Sequence, residues 1–235
     1  DESALPPGRL KIAWSAKAIN GAPVDPEVVA GLDKCVSLLE SLGHELVEDA
    51  PVIDWPSYFD ALVAIWSANL AWAIDLMGTI MNRVPGPDNL QHVTEAIYRH
   101  GLGISATEFL AAQATFNQAN RAASVPFETY DVLLSPTLAL PPIKLGTLDQ
   151  NAEGVDSAEW TRRVFEWCAF TPLFNSTGHP AVSLPLHWTE GGLPVGMQFA
   201  GRMNDEATLI RLAAQLEEAQ PWAARRPPVC YGENQ

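Results

Sequence analysis

The side chains that most often act as nucleophiles, bases or metal ligands are spread thinly along this chain of 235 residues. No serine lies in a G-x-S-x-G elbow or an S-x-x-K pair, either of which would mark a hydrolase nucleophile. The five histidines, His44, His92, His100, His179 and His187, form no H-E-x-x-H pair and no other metal-ligand spacing. The residues by themselves therefore predict no catalytic constellation and no metal site.

Cysteine spacing and glycine motifs exclude further kinds of site. Cys35, Cys168 and Cys230 are an odd number and lie far apart, which argues against a disulfide framework or a zinc cluster. We expect Cys35, inside a helical pattern, and Cys168, beside Trp167, to be small buried hydrophobic residues. Neither a Walker loop nor a G-x-G-x-x-G motif is present, so the sequence predicts no nucleotide and no other cofactor.

The acidic composition argues against two classes of partner. The formal net charge is -14 with four lysines, so the chain should repel nucleic acids and anionic membranes. Residues 1–7 lack the basic and apolar regions of a signal peptide. The apolar stretch 61–81 is interrupted by Ser67, Asn69 and Asp75, which favours a buried helix over a membrane span. We therefore expect a cytoplasmic protein without a nucleic-acid or membrane partner.

Local patterns predict an α/β fold with a mixed β-sheet covered by helices. Apolar alternation and short buried runs predict strands at residues 9–15, 45–48, 131–135, 181–185 and 194–201. Capping residues and helical periodicity predict helices at residues 25–42, 55–81, 88–100, 105–124, 157–170 and 206–219. The first strand–helix–strand unit predicts a parallel pair, and the Glu190-Gly191-Gly192 turn predicts an antiparallel hairpin.

The ends and two glycines complete these expectations. We expect residues 1–235 to form one folded portion, with a linker-like start at residues 1–8 and a surface tail at residues 225–235. Gly178 lies between a loop and a strand, and Gly192 closes the hairpin turn. We expect both at positive φ, where a side chain would be strained.

Several ordered blocks resemble a known family. Residues 131–137 read D-V-L-L-S-P-T, residues 174–185 read F-N-S-T-G-H-P-A-V-S-L-P, and residues 192–201 read G-L-P-V-G-M-Q-F-A-G. Together with V-D-P-E at residues 24–27 and L-G-H-E at residues 42–45, they resemble the C-terminal half of the amidase-signature family, in this order and over nearly the whole chain.

The resemblance implies an amidase whose catalytic residues lie elsewhere. The family hydrolyses small-molecule carboxylic amides with a Ser–cis-Ser–Lys triad and a glycine-rich serine loop. No stretch here matches the G-S-S-G-G type of that loop. We therefore expect no catalytic residue in this chain, no activity from it alone, and a missing N-terminal half as its partner. That half, or a second copy of the chain, should cover an exposed sheet edge beside residues 174–185 and 194–201.

The resemblance also implies the wall of a substrate cleft. Thr171, Phe174 and Asn175 precede the P-A-V-S block, and Pro136 and Thr137 end the S-P-T block. For Asn175, a turn-stabilising role ahead of the glycine is an equal alternative to substrate contact. The helix with Trp66, Leu70 and Trp72 is a second candidate, as an apolar acyl pocket, although core packing is favoured for those three side chains.

Two other functions fit the same residues. The chain is then either a non-catalytic α/β module that binds a partner or a small ligand, or a portion of the amidotransferase type within the same family, which serves aminoacyl-tRNA. The acidic charge argues against direct tRNA binding in the second case.

Overall fold

A five-stranded sheet forms the centre of the fold. The structure is a computed structural model that describes residues 1–227. The strands lie in the order β2-β1-β3-β5-β4, with β1 at Lys11–Trp14, β2 at Glu45–Glu48, β3 at Val132–Pro136, β4 at Ala181–Trp188 and β5 at Pro194–Gly201. β1 is parallel to β2 and β3, whereas β5 is antiparallel to β3 and β4. The predicted mixed α/β sheet, with its parallel start and its hairpin, is confirmed.

Helices α1 (Pro26–Ser41) and α7 (Glu206–Ala219) cover the first face of the sheet. α1 begins where the Asp25 carboxylate accepts a hydrogen bond from the Glu27 N–H, and Pro26 suits the first helical position. Side chains alternate along each strand, so Ile12, Leu134 and Met197 all point to this face and are almost fully buried. The first face is thus a closed hydrophobic core.

A helical layer lies beside the sheet and contains α2 (Trp55–Met81), α3 (His92–Leu102), α4 (Ala106–Ser124) and α5 (Ser157–Phe165). α4 begins with the predicted capping box, in which Ser105 and Glu108 each bond the other's backbone N–H. The layer has its own core, where the rings of Tyr58 and Phe116 stack at 5.0 Å and Phe165 is buried. A short helix, α6 (Thr171–Thr177), packs onto the second face of the sheet through Phe174.

α2 is only partly the buried helix that the sequence predicts. Within residues 1–227, α2 alone is long and apolar enough to cross a membrane. Of an apolar stretch of 18 residues in this helix, 33% is buried. Its first half buries Tyr58, Leu62 and Ser67, whereas Trp72 and Ile80 in the second half are both 68% exposed. The second half has no helix or strand against its outer side within residues 1–227.

Two helix boundaries differ from the predictions. The predicted helix 157–170 ends at Phe165, whose carbonyl accepts from the Asn20 side chain at 2.6 Å. α6 begins separately at Thr171, with Pro172 in its first turn, where no N–H is needed. The predicted helix 88–100 begins only at His92. The residues before it form a turn, in which the Asn89 side chain accepts from the Gly86 N–H and donates to the Val84 carbonyl.

The predicted turns are confirmed, and both ends of the described chain contact the fold. Gly178 has φ 75° and Gly192 has φ 81°. Within the linker-like segment 1–8, Glu2–Ala4 forms a 3-10 turn whose Glu2 carboxylate pairs with Arg211 of α7. Of the predicted tail, Arg225 lies over the Trp188 ring at 4.0 Å, and residues 228–235 lie outside the described part of the chain.

The crossing of α2 and α3 depends on Gly101, which yields a test of the fold. A Cβ at Gly101 would lie 2.0 Å from the Ser67 carbonyl oxygen, so Gly101→Ala must push the two helices apart. We expect a loss of about 1–3 kcal/mol in the free energy of unfolding, measured in urea. Gly103→Ala is the matched control, because its nearest neighbour is an ordinary 3.4 Å away. Equal stability of both variants would contradict this account of the crossing.

Candidate functional site

A row of polar side chains crosses the second face of the sheet where β1 and β3 end. The strand register aligns Ser135 with Gln198, and Gln198 with Ser183. Gln198 is 4% exposed, and its Nε2 donates to the Ser135 Oγ at 3.3 Å. Ser15 follows β1 directly, and its N–H donates to the Leu134 carbonyl, so the row extends to the end of a fourth strand. The row lies among Ala13, Leu133 and Ala200 on the same face.

One end of the row is a pair of hydroxyl groups held close together. The Thr137 Oγ1 and Ser183 Oγ are 2.6 Å apart, and the Thr137 N–H donates to the Gly196 carbonyl at 2.9 Å. A Cβ at Gly196 would lie 2.6 Å from the Ser183 Oγ and 2.8 Å from the Thr137 Oγ1. Glycine at position 196 therefore permits the pair, which lies on the exposed side of the sheet and can both donate to and accept from a ligand.

Helix α6 closes the other side of the row. Phe170, Leu173 and Phe174 enclose a small cavity of about 40 Å³ with Ser15 and Ser135, among other residues. The volume of this mostly apolar cavity is on the order of that of one water molecule. The α6 side chains thus form an apolar wall beside the polar row, an arrangement typical of small-molecule sites.

A wider and more polar cleft of about 620 Å³ adjoins this cavity, lined by Ser15, Lys17, Glu48 and Asp49 and by residues 50–53. Lys17 pairs with Glu48 at 3.8 Å on the surface. The Asp49 carboxylate accepts a hydrogen bond from the Tyr130 hydroxyl at 2.9 Å, and this bond raises the pKa of Tyr130. The charged groups at the rim of this cleft therefore already have partners.

The structure brings two of the five predicted cleft residues, Thr137 and Phe174, to the second face beside the polar row. Thr137 belongs to the hydroxyl pair, and Phe174 lines the small cavity with Ser135. Pro136 is buried at the end of β3, and alternation turns its ring toward the first face, where its cross-strand neighbour Met197 lies. The positions of Thr137 and Phe174 are consistent with a cleft wall, and substrate contact by each of the three residues stays a prediction.

The other two predicted residues lie one helical turn apart on α6. Thr171 is half-buried in the first turn, and Asn175 is exposed. The turn at Gly178 is closed by the Gly178 N–H and the Thr177 hydroxyl, which both donate to the Phe174 carbonyl. Asn175 makes no side-chain hydrogen bond to another residue of the described chain, so nothing in this turn supports its turn-stabilising alternative.

The second predicted pocket is not formed by the residues named for it. Trp66 is 45% exposed and lies against Phe165 at a ring distance of 5.2 Å, while Trp72 is exposed. Neither tryptophan is therefore a core residue, contrary to the favoured interpretation, and Leu70 is half-buried. The reason is that the second half of α2 has no layer against its outer side within residues 1–227.

Sequence reasoning missed Gln198, the most buried member of the polar row. The signal was present, because strict alternation in β5 places Gln198 between Met197 and Phe199, which point to the other face. A glutamine in the middle of a buried strand needs a polar partner. The cross-strand Ser135 that supplies this partner becomes visible only with the strand register.

No nucleophile with its base is assembled within residues 1–227. Ser124 Oγ lies 3.5 Å from the His179 Nε2, but it donates to the Asn120 carbonyl at 2.8 Å, and the other ring nitrogen of His179 meets Thr177 instead of a carboxylate. Burial raises the pKa of Cys35 to about 12, so this thiol is not a nucleophile. No cluster of three metal-ligating side chains occurs in the described part of the chain.

The site lies beside a sheet edge that no strand of residues 1–227 pairs with. β4 is the outer strand, and the Pro180 carbonyl accepts from the Gly201 N–H of β5 at 2.9 Å. Antiparallel alternation then directs the backbone groups of Ala181 and Ser183 away from β5. The side chains of these two residues are exposed on the second face. The polar row therefore ends at an edge that is open to another chain segment.

Comparison with known proteins identifies the family to which these features belong. The family model described as Amidase matches residues 2–210. The Mycobacterium leprae protein named "Putative amidase AmiC" is 34% identical over 217 residues, which are 92% of this chain and 45% of that protein. The chain belongs to the amidase family, of the amidase-signature type, and it spans about half the length of the curated relatives that it matches.

Solved structures share the fold. The structure of 6-aminohexanoate cyclic dimer hydrolase superposes with a TM-score of 0.88 at 23% identity, covering 97% of this chain and 48% of that one. A bacterial aryl acylamidase of the amidase-signature family superposes with a TM-score of 0.76 at 22% identity, covering 93% of this chain and 46% of that one. The sheet and helices described above thus match one half of these proteins.

His179, next to the site, makes stability depend on pH. It stacks on Phe127 at 4.6 Å, and burial lowers its pKa below the usual value of 6.5. Burial also lowers the pKa of His187. The unfolded chain therefore binds protons more readily, so stability is fully present above pH 6.5 and falls as the pH drops below that value.

We expect the melting temperature to fall between about pH 7 and pH 5, and to fall less steeply in His179→Gln, because glutamine removes one titrating group. The exposed His100→Gln serves as the control and should keep the wild-type slope. The measurement is a set of thermal melts across this range. Parallel slopes for wild type and His179→Gln would show that His179 does not titrate as its burial implies.

Proposed function

We propose that this chain is the substrate-side half of an amidase that hydrolyses the C–N bond of a small-molecule, non-peptide amide. In this proposal the Ser–cis-Ser–Lys triad belongs to an N-terminal half outside residues 1–235. The main support is a polar row beside an apolar wall, without a nucleophile of its own within residues 1–227 and next to an open edge. The half-length match to amidase relatives supports the same conclusion.

The row offers groups suited to an amide. An amide presents one carbonyl acceptor and N–H donors, and the hydroxyls of Thr137 and Ser183 can act in both senses. Pro136 belongs to the end of β3 that carries Thr137. Phe174 supplies apolar contact, while Thr171 and Asn175 line the outer side of α6. In this proposal these side chains orient the substrate, and the chemical step belongs to the partner half. Orientation alone can contribute several kcal/mol to a rate.

The proposed partner of the open edge is the N-terminal half. Its strands would pair with the outward backbone groups of Ala181 and Ser183 and would cover the second face beside residues 174–185 and 194–201. The exposed small side chains of Ala181 and Ser183, at the start of β4, allow such close pairing.

The first test compares this chain with the longer protein. We expect purified residues 1–235 to hydrolyse no member of a panel of aliphatic and aryl amides, whereas a protein that includes the upstream half should hydrolyse at least one, because the triad is then present. Ammonia or amine release is measured. Turnover by residues 1–235 that disappears when one of its own serines is replaced would contradict the proposed division of roles.

The second test addresses the edge. Ala181→Lys places a charged side chain on the open face, so we expect it to weaken binding of the separately produced upstream half by about tenfold or more, equivalent to about 1.4 kcal/mol. Leu145→Lys is the control, because Leu145 is fully exposed in a loop away from the sheet. Binding is measured by calorimetry. Equal affinity of both variants would place the partner elsewhere on the molecule.

A further inference from the structure

A further cavity, of about 480 Å³, has four aromatic rings in its walls. Trp55 and Phe59 come from the start of α2, and Phe165 and Trp167 from the end of α5 and the residues after it. The remaining lining is Leu140, residues 20–23, Arg162 and Glu166. Its volume lies within the range of about 300–1,000 Å³ that is usual for small-molecule sites.

The walls of this cavity are fixed by hydrogen bonds and ring contacts. The Asn20 Nδ2 donates to the Phe165 carbonyl at 2.6 Å, and the Ala22 N–H donates to the Asn20 Oδ1 at 2.9 Å. Trp55 meets Phe165 edge-on at 6.3 Å and Phe59 at 5.6 Å. A ligand therefore meets a preformed surface and loses little affinity to ordering of the walls.

The polar groups around this cavity select for a neutral ligand. Both functional atoms of the Asn20 amide are engaged with the backbone. The guanidinium of Arg162 is bound to Glu159, which also accepts from Arg163, and Glu166 adds a second carboxylate at the rim. A carboxylate or phosphate ligand finds no unpaired cation among these lining residues. A flat uncharged ring, in contrast, matches walls of indole and phenyl groups, which favour offset or edge-on ring contacts.

The same chain segments line this cavity and the polar site. Ser15, Lys17 and Ile19 line the small cavity beside the polar row, and residues 20–23 line the aromatic one. Trp167 lies on the aromatic side and Phe170 on the polar side, and the Ala139 N–H ties this segment to the S-P-T loop by donating to the Trp167 carbonyl at 2.8 Å. The two cavities are therefore lined by adjacent residues of the same chain segments.

We propose that the aromatic cavity binds the uncharged aromatic ring of an aryl amide. As a substrate assignment it rests on the proposed amidase function, whereas ring binding itself requires only this chain. The cavity is separate from the polar row. Its lining residues do not include Trp66 and Trp72, the tryptophans that the sequence suggested for an apolar pocket.

The test is a binding titration of residues 1–235 with 4-fluoroacetanilide, followed by ¹⁹F NMR line width. We expect it to bind about tenfold more tightly than 4-fluorobenzoate or 4-fluorobenzylammonium, a difference of about 1.4 kcal/mol. N-cyclohexylacetamide, added as a competitor of similar size without an aromatic face, should displace the probe only weakly. Equal binding of neutral and charged rings would overturn the assignment.

Two variants locate the binding. Ala22→Leu fills part of the cavity while leaving every aromatic wall in place, and Phe59→Leu removes one wall. Each should weaken probe binding by about tenfold, while Trp72→Leu, on the same helix and outside the cavity, should not change it. Unchanged affinity in Ala22→Leu would overturn the proposal. If the ring binds but the longer protein hydrolyses no amide, the proposed function fails and the ring site stands.

Discussion

The sheet has two faces, and the helices of residues 1–227 fully cover only one of them. α1 and α7 close the first face over Ile12, Leu134 and Met197. On the second face, α6 covers Ala13, Leu133 and Ala200, while Ala181 and Ser183 at the β4 edge stay exposed. Buried polar groups need hydrogen-bond partners. The row from Ser15 to Ser183 can therefore lie only where α6 ends, because solvent or another chain segment can bond to its polar groups there. The position of the candidate site thus follows from incomplete coverage of one sheet face.

The elements predicted best are those whose ends have a local chemical cause. Ser105 and Glu108 satisfy each other's backbone groups, and Asp25 with Pro26 starts α1, so neither boundary depends on the rest of the fold. The end of α5 was not predictable in this way, because the Phe165 carbonyl bonds the Asn20 side chain, 145 residues away. The exposure of α2 was equally hidden, since a helix that is apolar on all sides gives no sign of which side packs.

The residues of the candidate site also divide into those that local sequence predicts and those that depend on strand register or helix geometry. Phe174, Pro136 and Thr137 were expected from sequence blocks, and the structure places Phe174 and Thr137 at the polar row, while the ring of Pro136 turns to the first face beside Met197. Gln198 was missed, because its role depends on register: one residue of slip in β5 would turn it toward the first face. Thr171 and Asn175 lie on the same short helix as Phe174, yet only the geometry of that helix shows that Asn175 is exposed while Phe174 is buried.

Charge decides what kind of segment suits the open face. Most basic side chains of the described chain already pair with acids, as in Arg9 and Lys11 with Glu45, Lys17 with Glu48, Arg99 with Glu95, Arg202 with Asp131 and Arg211 with Glu2. The surplus behind the net charge of -14 is therefore carboxylate. At ~0.1 M salt, two copies of this chain repel each other once they approach within about 10 Å. Strand pairing at β4 acts only at contact distance, so a less acidic segment meets a lower barrier there than a second copy does.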